Sequence, residues 1–222
     1  EAVIGRGVRS VTLKVLQRSD VPVPAALLAT LAAERGEADA ELRGALLDRA
    51  DLPAGARLAM VEAAVASLRL ARIVKGAVAP SRLERLLRDA MDTALTVIGE
   101  GEATSGGTPF ASELVATERV SARVMLHAVV NGHVVFFADC LSALAGVPRD
   151  KVFTILETGG RPALNALLSR CGLSAAVSNL IARLIFHARA ADLADDITAR
   201  HFVVTALTEE LIVEHDGVIP PE

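Results

Sequence analysis

Three sets of side chains in this sequence are of the types that do chemistry. They are the five histidines His127, His133, His187, His201 and His215, the two cysteines Cys140 and Cys171, and a run of arginines between Arg69 and Arg88. Structural zinc is held by Cys and His in close pairs, typically about two to four residues apart. Neither cysteine has a partner at such spacing, and no two histidines stand at i, i+4. His201 lies on a helical stripe with Ile197 and Val204, the setting of a core histidine. No metal ion and no cofactor is expected.

Nucleophilic catalysis needs Ser or Cys beside a base and an orienting group. The chain has no G-x-S-x-G elbow, and its glycine-rich stretch, Gly99 to Gly107, lacks the Lys-Ser/Thr ending of a phosphate loop and follows a helix rather than a strand. Asp195-Asp196 and Glu209-Glu210 are sequence neighbours, so each pair points to different sides of a helix. Asp195-Asp196 reads as a cap, because negative charge is favoured at a helix N-terminus. No catalytic residue is expected, and the chain is not expected to be an enzyme.

The basic run is the one constellation with a plausible surface role. Arg69, Arg72 and Lys75 are spaced i, i+3, i+6, and so are Arg82, Arg85 and Arg88, which places each trio along a helix face. Arg69, Arg72, Arg82, Arg85 and Arg88 are the candidate binding residues for an anion or a docking partner. The plainer alternative is a solvated helix surface, offset by Glu84 and Asp89. Nucleic acid is not the expected partner: the formal net charge is -4. The segment Lys151 to Gly172, which has a helix-turn-helix outline, carries a single arginine in PALNALLSRC, where base reading needs several polar and basic side chains.

What would position these residues is helix. Of the 222 residues 52% are hydrophobic but only 3% aromatic, so the apolar content is mostly Ala, Leu and Val. Ala and Leu head the helix-propensity ranking, and a sheet protein wants more aromatic and Thr content. The spacing predicts helices over Val8–Gln17, from Pro22 or Pro24 to Gly36, and over Ala38–Arg49. A long helix, capped by Asp51, is predicted from Pro53 towards Val74 and closed by Gly76. Another begins at Ser81, with Glu84 at the capping-box position. The first hairpins have the outline of a HEAT-type repeat. GEGEATSGGTPF is rich in Gly, Ser and Thr and is expected to be a flexible joint.

Beyond the joint the spacing predicts helices over Phe110–Thr117, Ser121–Val130, His133–Ala145, Pro148–Glu157, Pro162–Cys171 and Ser174–Arg189. A last one begins near Asp195 or Asp196 and carries Ile197, Val204, Leu207 and Leu211. The expected organisation is all-α: a HEAT-like region of antiparallel helical hairpins over 1–100, a flexible loop over 101–109 and a helical-bundle region over 110–222. Between Arg123 and Arg149 the only formal charge is Asp139, but Asn131-Gly132-His133, Asp139 and Gly146 cut the apolar runs below the ~20 residues that span a bilayer. A buried hairpin is expected there, no membrane partner, and a cytoplasmic protein with two reduced thiols.

The stretch NGHVVFFADCLSALAGVPRDKVFTILETGGRPALNALLSRCGL carries a resemblance. A Phe136-Phe137 pair follows a glycine turn. Then come the connector Ala145 to Pro148, a Gly-Arg-x-x-Leu-x-x-Leu helix from Gly160 to Leu167, and a Gly172-Leu173 turn. From about Pro53 to Arg189 this is similar to an alphaproteobacterial family known as domain of unknown function 2336. The resemblance implies an all-helical domain, sometimes preceded by HEAT-like hairpins, and carries over no functional residue.

The function expected from these readings is a non-enzymatic protein-protein interaction or regulatory module, in bacterial signalling for example. Its partner is another protein or a second copy of the chain. The alternatives are a small-anion or nucleotide sensor using the arginine face, and an enzyme of unrecognised type.

Overall fold

The computed structural model describes residues 8–106 and 109–190. Among them it is all-α, with twelve helices: α1 (Arg9–Leu16), α2 (Ala25–Arg35), α3 (Ala40–Leu47), α4 (Ala54–Leu70), α5 (Arg72–Ala77), α6 (Pro80–Thr104), α7 (Pro109–Ala116), α8 (Ala122–Val130), α9 (Val134–Ala145), α10 (Arg149–Thr158), α11 (Arg161–Arg170) and α12 (Ala175–Ala190). The helix expected from Asp195 or Asp196 lies outside the described residues, as do His201 and His215. Contacts divide the chain into two compact units, residues 1–99 and 100–222.

In the first unit, α1 to α4 close around Leu13, Leu16, Leu28, Leu31, Leu42, Leu46 and Met60. Asp39 starts α3 by accepting a hydrogen bond from the Leu42 amide at 3.1 Å, which satisfies one of the amides that a helix start leaves without a partner. Pro24 and Pro53 stand just outside α2 and α4 in extended conformation. Asp51 therefore does not cap α4. It turns back onto Arg49, 2.6 Å away.

Three further expectations change in this unit. The long helix ends at Leu70 rather than near Val74, because Ala71 leaves helical geometry with ψ 120°. The chain then re-enters helix as α5, and Gly76 lies inside it. The break lets Val74 and Val78 pack with Val61 against the small core of Val65, Leu83 and Leu87. Ser81 is already helical, since α6 opens on Pro80 and its first hydrogen bond runs from the Leu83 amide to the Ala79 carbonyl. Proline suits a first helical position because the missing N–H would have no partner there.

The expected flexible joint is helix over much of its described length, residues 107 and 108 lying outside the described residues. α6 continues through Gly101 to Thr104 before a turn at Ser105-Gly106. Ala103 is buried, so burial supplies what the local composition lacks. The Thr104 and Ser105 hydroxyls tie back to the carbonyls of Glu100 and Gly101.

In the second unit α9 is the hub, packed against α7, α8, α10 and α11. It buries Phe136, Phe137, Ala138, Cys140, Leu141 and Ala145, and with them Asp139. His133, the residue before it, offers no side-chain cap, and Glu100 of α6 supplies one instead, accepting from the Val135 and Phe136 amides at 3.4 and 2.7 Å. Its other end closes on Gly146 in left-handed conformation, φ 60° and ψ 39°, with the Val147 amide bonded to the Ser142 carbonyl. Ser121 caps α8, and Ser174 caps α12, as their positions in the sequence predict. No described helix is long and apolar enough to cross a membrane.

Candidate interaction face

Two groups among the described arginines have opposite roles, and only one of them was visible in the sequence. Five point inward and hold main-chain oxygens. Arg49 is 2% exposed and donates to the carbonyls of Leu16, Arg18 and Val21 while its fork grips Asp51. Arg43 holds Gly36 and Glu37, and Arg57 holds Leu47 and Arg49. In the second unit Arg189 caps the end of α10 through Ile155, Leu156 and Gly159, and Arg149 reaches Ala103 at the end of α6. Of these carbonyls, those of Leu16, Leu47, Ala103, Ile155 and Leu156 lie in the last turns of their helices, where intrahelical partners run out and a cation is favoured by the helix dipole. A carbonyl leaves no mark in a sequence, so only the Arg49-x-Asp51 spacing hinted at any of this.

The second group points outward, between the end of α4 and the first turns of α6. Arg69, Arg72, Lys75, Arg82, Arg85 and Arg88 are all exposed. Arg69 does not share a helix with Arg72 and Lys75, because the chain breaks at Ala71, so the first trio does not form the single face its spacing suggested. Arg69 is instead engaged by Glu84 in a two-pronged pair at 2.8 and 2.9 Å. The hydrogen bonds from Arg69 hold the Glu84 carboxyl below its ordinary range, and those to Glu84 raise the Arg69 guanidinium. Glu84 therefore faces Arg69 rather than the helix start that the capping-box pattern assigned it. Arg82, Arg85 and Arg88 do share α6. At about 100° per residue their row slants around the helix rather than running straight along it, and Arg88 comes near enough to Glu84 to lower its carboxyl further.

Large apolar side chains stand among these cations. Leu70 is 70% and Ile73 83% exposed, and Leu68 on α4 and Leu86 on α6 are exposed as well. α5 buries none of its residues outright. A six-residue helix has room to turn one edge to a core, and Val74 takes that edge, leaving Ile73 outward. From Leu68 to Leu83 the sequence holds Arg69, Arg72, Lys75 and Arg82 and no acid.

The other candidates give less. Asn131, one turn on from His127, donates its side-chain amide to the His127 carbonyl at 2.8 Å and lies 3.2 Å from the ring Nδ1. Among the described residues no group of three or more His, Cys, Asp or Glu is placed to hold a metal ion. Both cysteines are free thiols. Burial pushes both up, Cys171 to about 11 and Cys140 beyond that, where neither is a ready nucleophile. An open cleft beside Arg9, Glu34, Arg35, Asp39 and Glu41 is crossed by the Arg9 side chain, which pairs with both Asp39 and Glu41.

A family model described as "Uncharacterised protein conserved in bacteria (DUF2336)" matches residues 1–214, well beyond the central stretch whose motifs suggested it. No curated protein and no solved structure matches.

Proposed function

The chain belongs to that bacterial family, and from this premise we propose that it is a non-enzymatic interaction module, docking through the basic and apolar segment from Leu68 to Arg88. The observation that carries this reading is the exposure of Leu70 and Ile73 among cations. Apolar area left in water costs roughly 25 cal/mol per Å², and large aliphatic side chains clustered on a surface mark contact sites. The packing of α2 with α3 and of α3 with α4 supports a scaffold of consecutive helical hairpins behind that face. The cytoplasm, where the two thiols would stay reduced, is the compartment that fits this role. The anion-sensor alternative is less favoured, since Arg69 is engaged by Glu84 and the remaining arginines are spread along a slanting row.

Footprinting in the native cell tests this reading whatever the partner. Ile73→Cys places a reactive thiol on the face, and Glu37→Cys places one on an exposed residue elsewhere in the first unit. The native thiols give little background, because burial keeps them protonated. A docking module shows slower maleimide labelling of Ile73→Cys in cells than in the purified protein, with Glu37→Cys unchanged. Equal labelling in both settings overturns it.

A further inference from the structure

We infer that the surface met by the Leu68–Arg88 segment is an anionic lipid bilayer, touched peripherally by the side chains of Leu70 and Ile73. The inference rests on the docking face proposed above and names what covers it.

The exposure pattern is the first argument. Protein interfaces concentrate their energy in aromatic and arginine anchors seated in pockets. Here the segment has arginines but no aromatic residue, its exposed apolar side chains are aliphatic, and Ile73 at 83% exposure stands out from the surface rather than lining a groove. Protruding aliphatic side chains need no complementary pocket in a bilayer. They require only the boundary between headgroups and acyl chains, where apolar faces sink by roughly 5–10 Å.

Charge is the second argument. Residues 68–88 carry six cations against the single acid Glu84, a local net charge of five positive, and the chain as a whole is -4. The remainder therefore has a net charge of nine negative, so positive charge is gathered at the place where apolar side chains are exposed. Arg72, Lys75 and Arg82 are exposed and make no ion pair among the described residues. Clusters of about four to eight Lys or Arg beside apolar side chains are the pattern that holds a protein to anionic headgroups. Asp89 directly after Arg88, and Asp92 one turn on, set the edge of the patch on α6. The expectation of no membrane partner weighed only spanning segments, and a peripheral contact needs none.

The test is flotation of the full chain with vesicles of phosphatidylcholine alone or with about 30% phosphatidylglycerol, in salt from about 0.05 M to about 0.5 M. The expected result is binding to the anionic vesicles only, weakening as salt rises. Leu70→Ser with Ile73→Ser, and separately Arg72→Gln with Lys75→Gln, each weaken it by at least about tenfold. All four residues are exposed, so circular dichroism should show an unchanged fold. No binding to anionic vesicles at low salt overturns the inference, and so does binding that both double variants retain. If vesicles fail while Ile73→Cys is still protected in cells, a protein covers the face and the docking reading stands without the lipid. If both fail, both readings fall.

Discussion

Asp139 and Arg149 meet at 2.7 Å between α9 and α10, yet the guanidinium N–H is not aimed along the carboxylate oxygen. Asp139 is buried in the hub helix, so its carboxylate lies away from water without a well-aligned donor on either oxygen. Burial consequently outweighs the pull of Arg149, the nearby Glu100 adds repulsion, and the carboxyl is pushed above its ordinary range.

The first prediction follows from that pair. In a carboxyl-carbon NMR titration, Asp139 should change charge above the usual aspartate range. Glu100→Gln should bring the midpoint down and Arg149→Gln should move it further up. The folded state favours the proton, so the contribution of Asp139 to stability is full below the ordinary aspartate range and is lost as pH rises through the raised value. Asp139→Asn should remove that component of the pH profile.

Removing the Arg49 side chain strips donors from three carbonyls and leaves Asp51 without its partner. Arg49→Ala should therefore lower unfolding free energy by about 3 kcal/mol in urea denaturation. Arg49→Lys should recover only part of this, since an ammonium cannot reproduce the fork that serves Asp51 and the carbonyls together. A loss below about 0.5 kcal/mol for the alanine variant would contradict the role assigned to Arg49.

Acid should weaken the first unit through Asp39. Arg9 and the α3 amides hold this carboxyl at about 2. Its stabilising contribution is complete above the ordinary aspartate range and is lost as pH falls from there towards about 2. Thermal melts of Asp39→Asn across acid pH should show a shallower decline than the parent chain.

Two glycines should respond in opposite directions. Gly44 lies inside α3 with open space where a Cβ would stand, so Gly44→Ala should stabilise by about 0.5–1 kcal/mol. Gly146 has equal room but a left-handed backbone, so Gly146→Ala should cost about 1 kcal/mol. Paired melting curves of the two variants decide it.

The sequence made the helices legible wherever a breaker and an apolar stripe agreed. Ser121, Gly146 and Ser174 stand where their chemistry puts them. It misled where tertiary packing overrode composition. Gly99 and Gly101 look like a hinge, but they lie in helix that the burial of Ala103 carries through. Ala71 looks like an ordinary helix residue and ends α4. The basic run was visible as charge. Its exposed leucine and isoleucine were not, because Leu70 and Ile73 continue an apolar pattern that reads as core until the break at Ala71 is known. The inward arginines were invisible because their partners are backbone.

The cap that Glu100 places on α9 has a consequence for dividing this protein. A cut at the glycine-rich stretch would be the natural choice of anyone excising the second unit by composition. A piece beginning at Pro109 would lack both the Glu100 carboxylate over the Val135 and Phe136 amides and the Ala103 carbonyl held by Arg149. The smallest self-sufficient fragment therefore has to start well upstream of the apparent seam, inside α6, and to carry a length of that helix as its own first element.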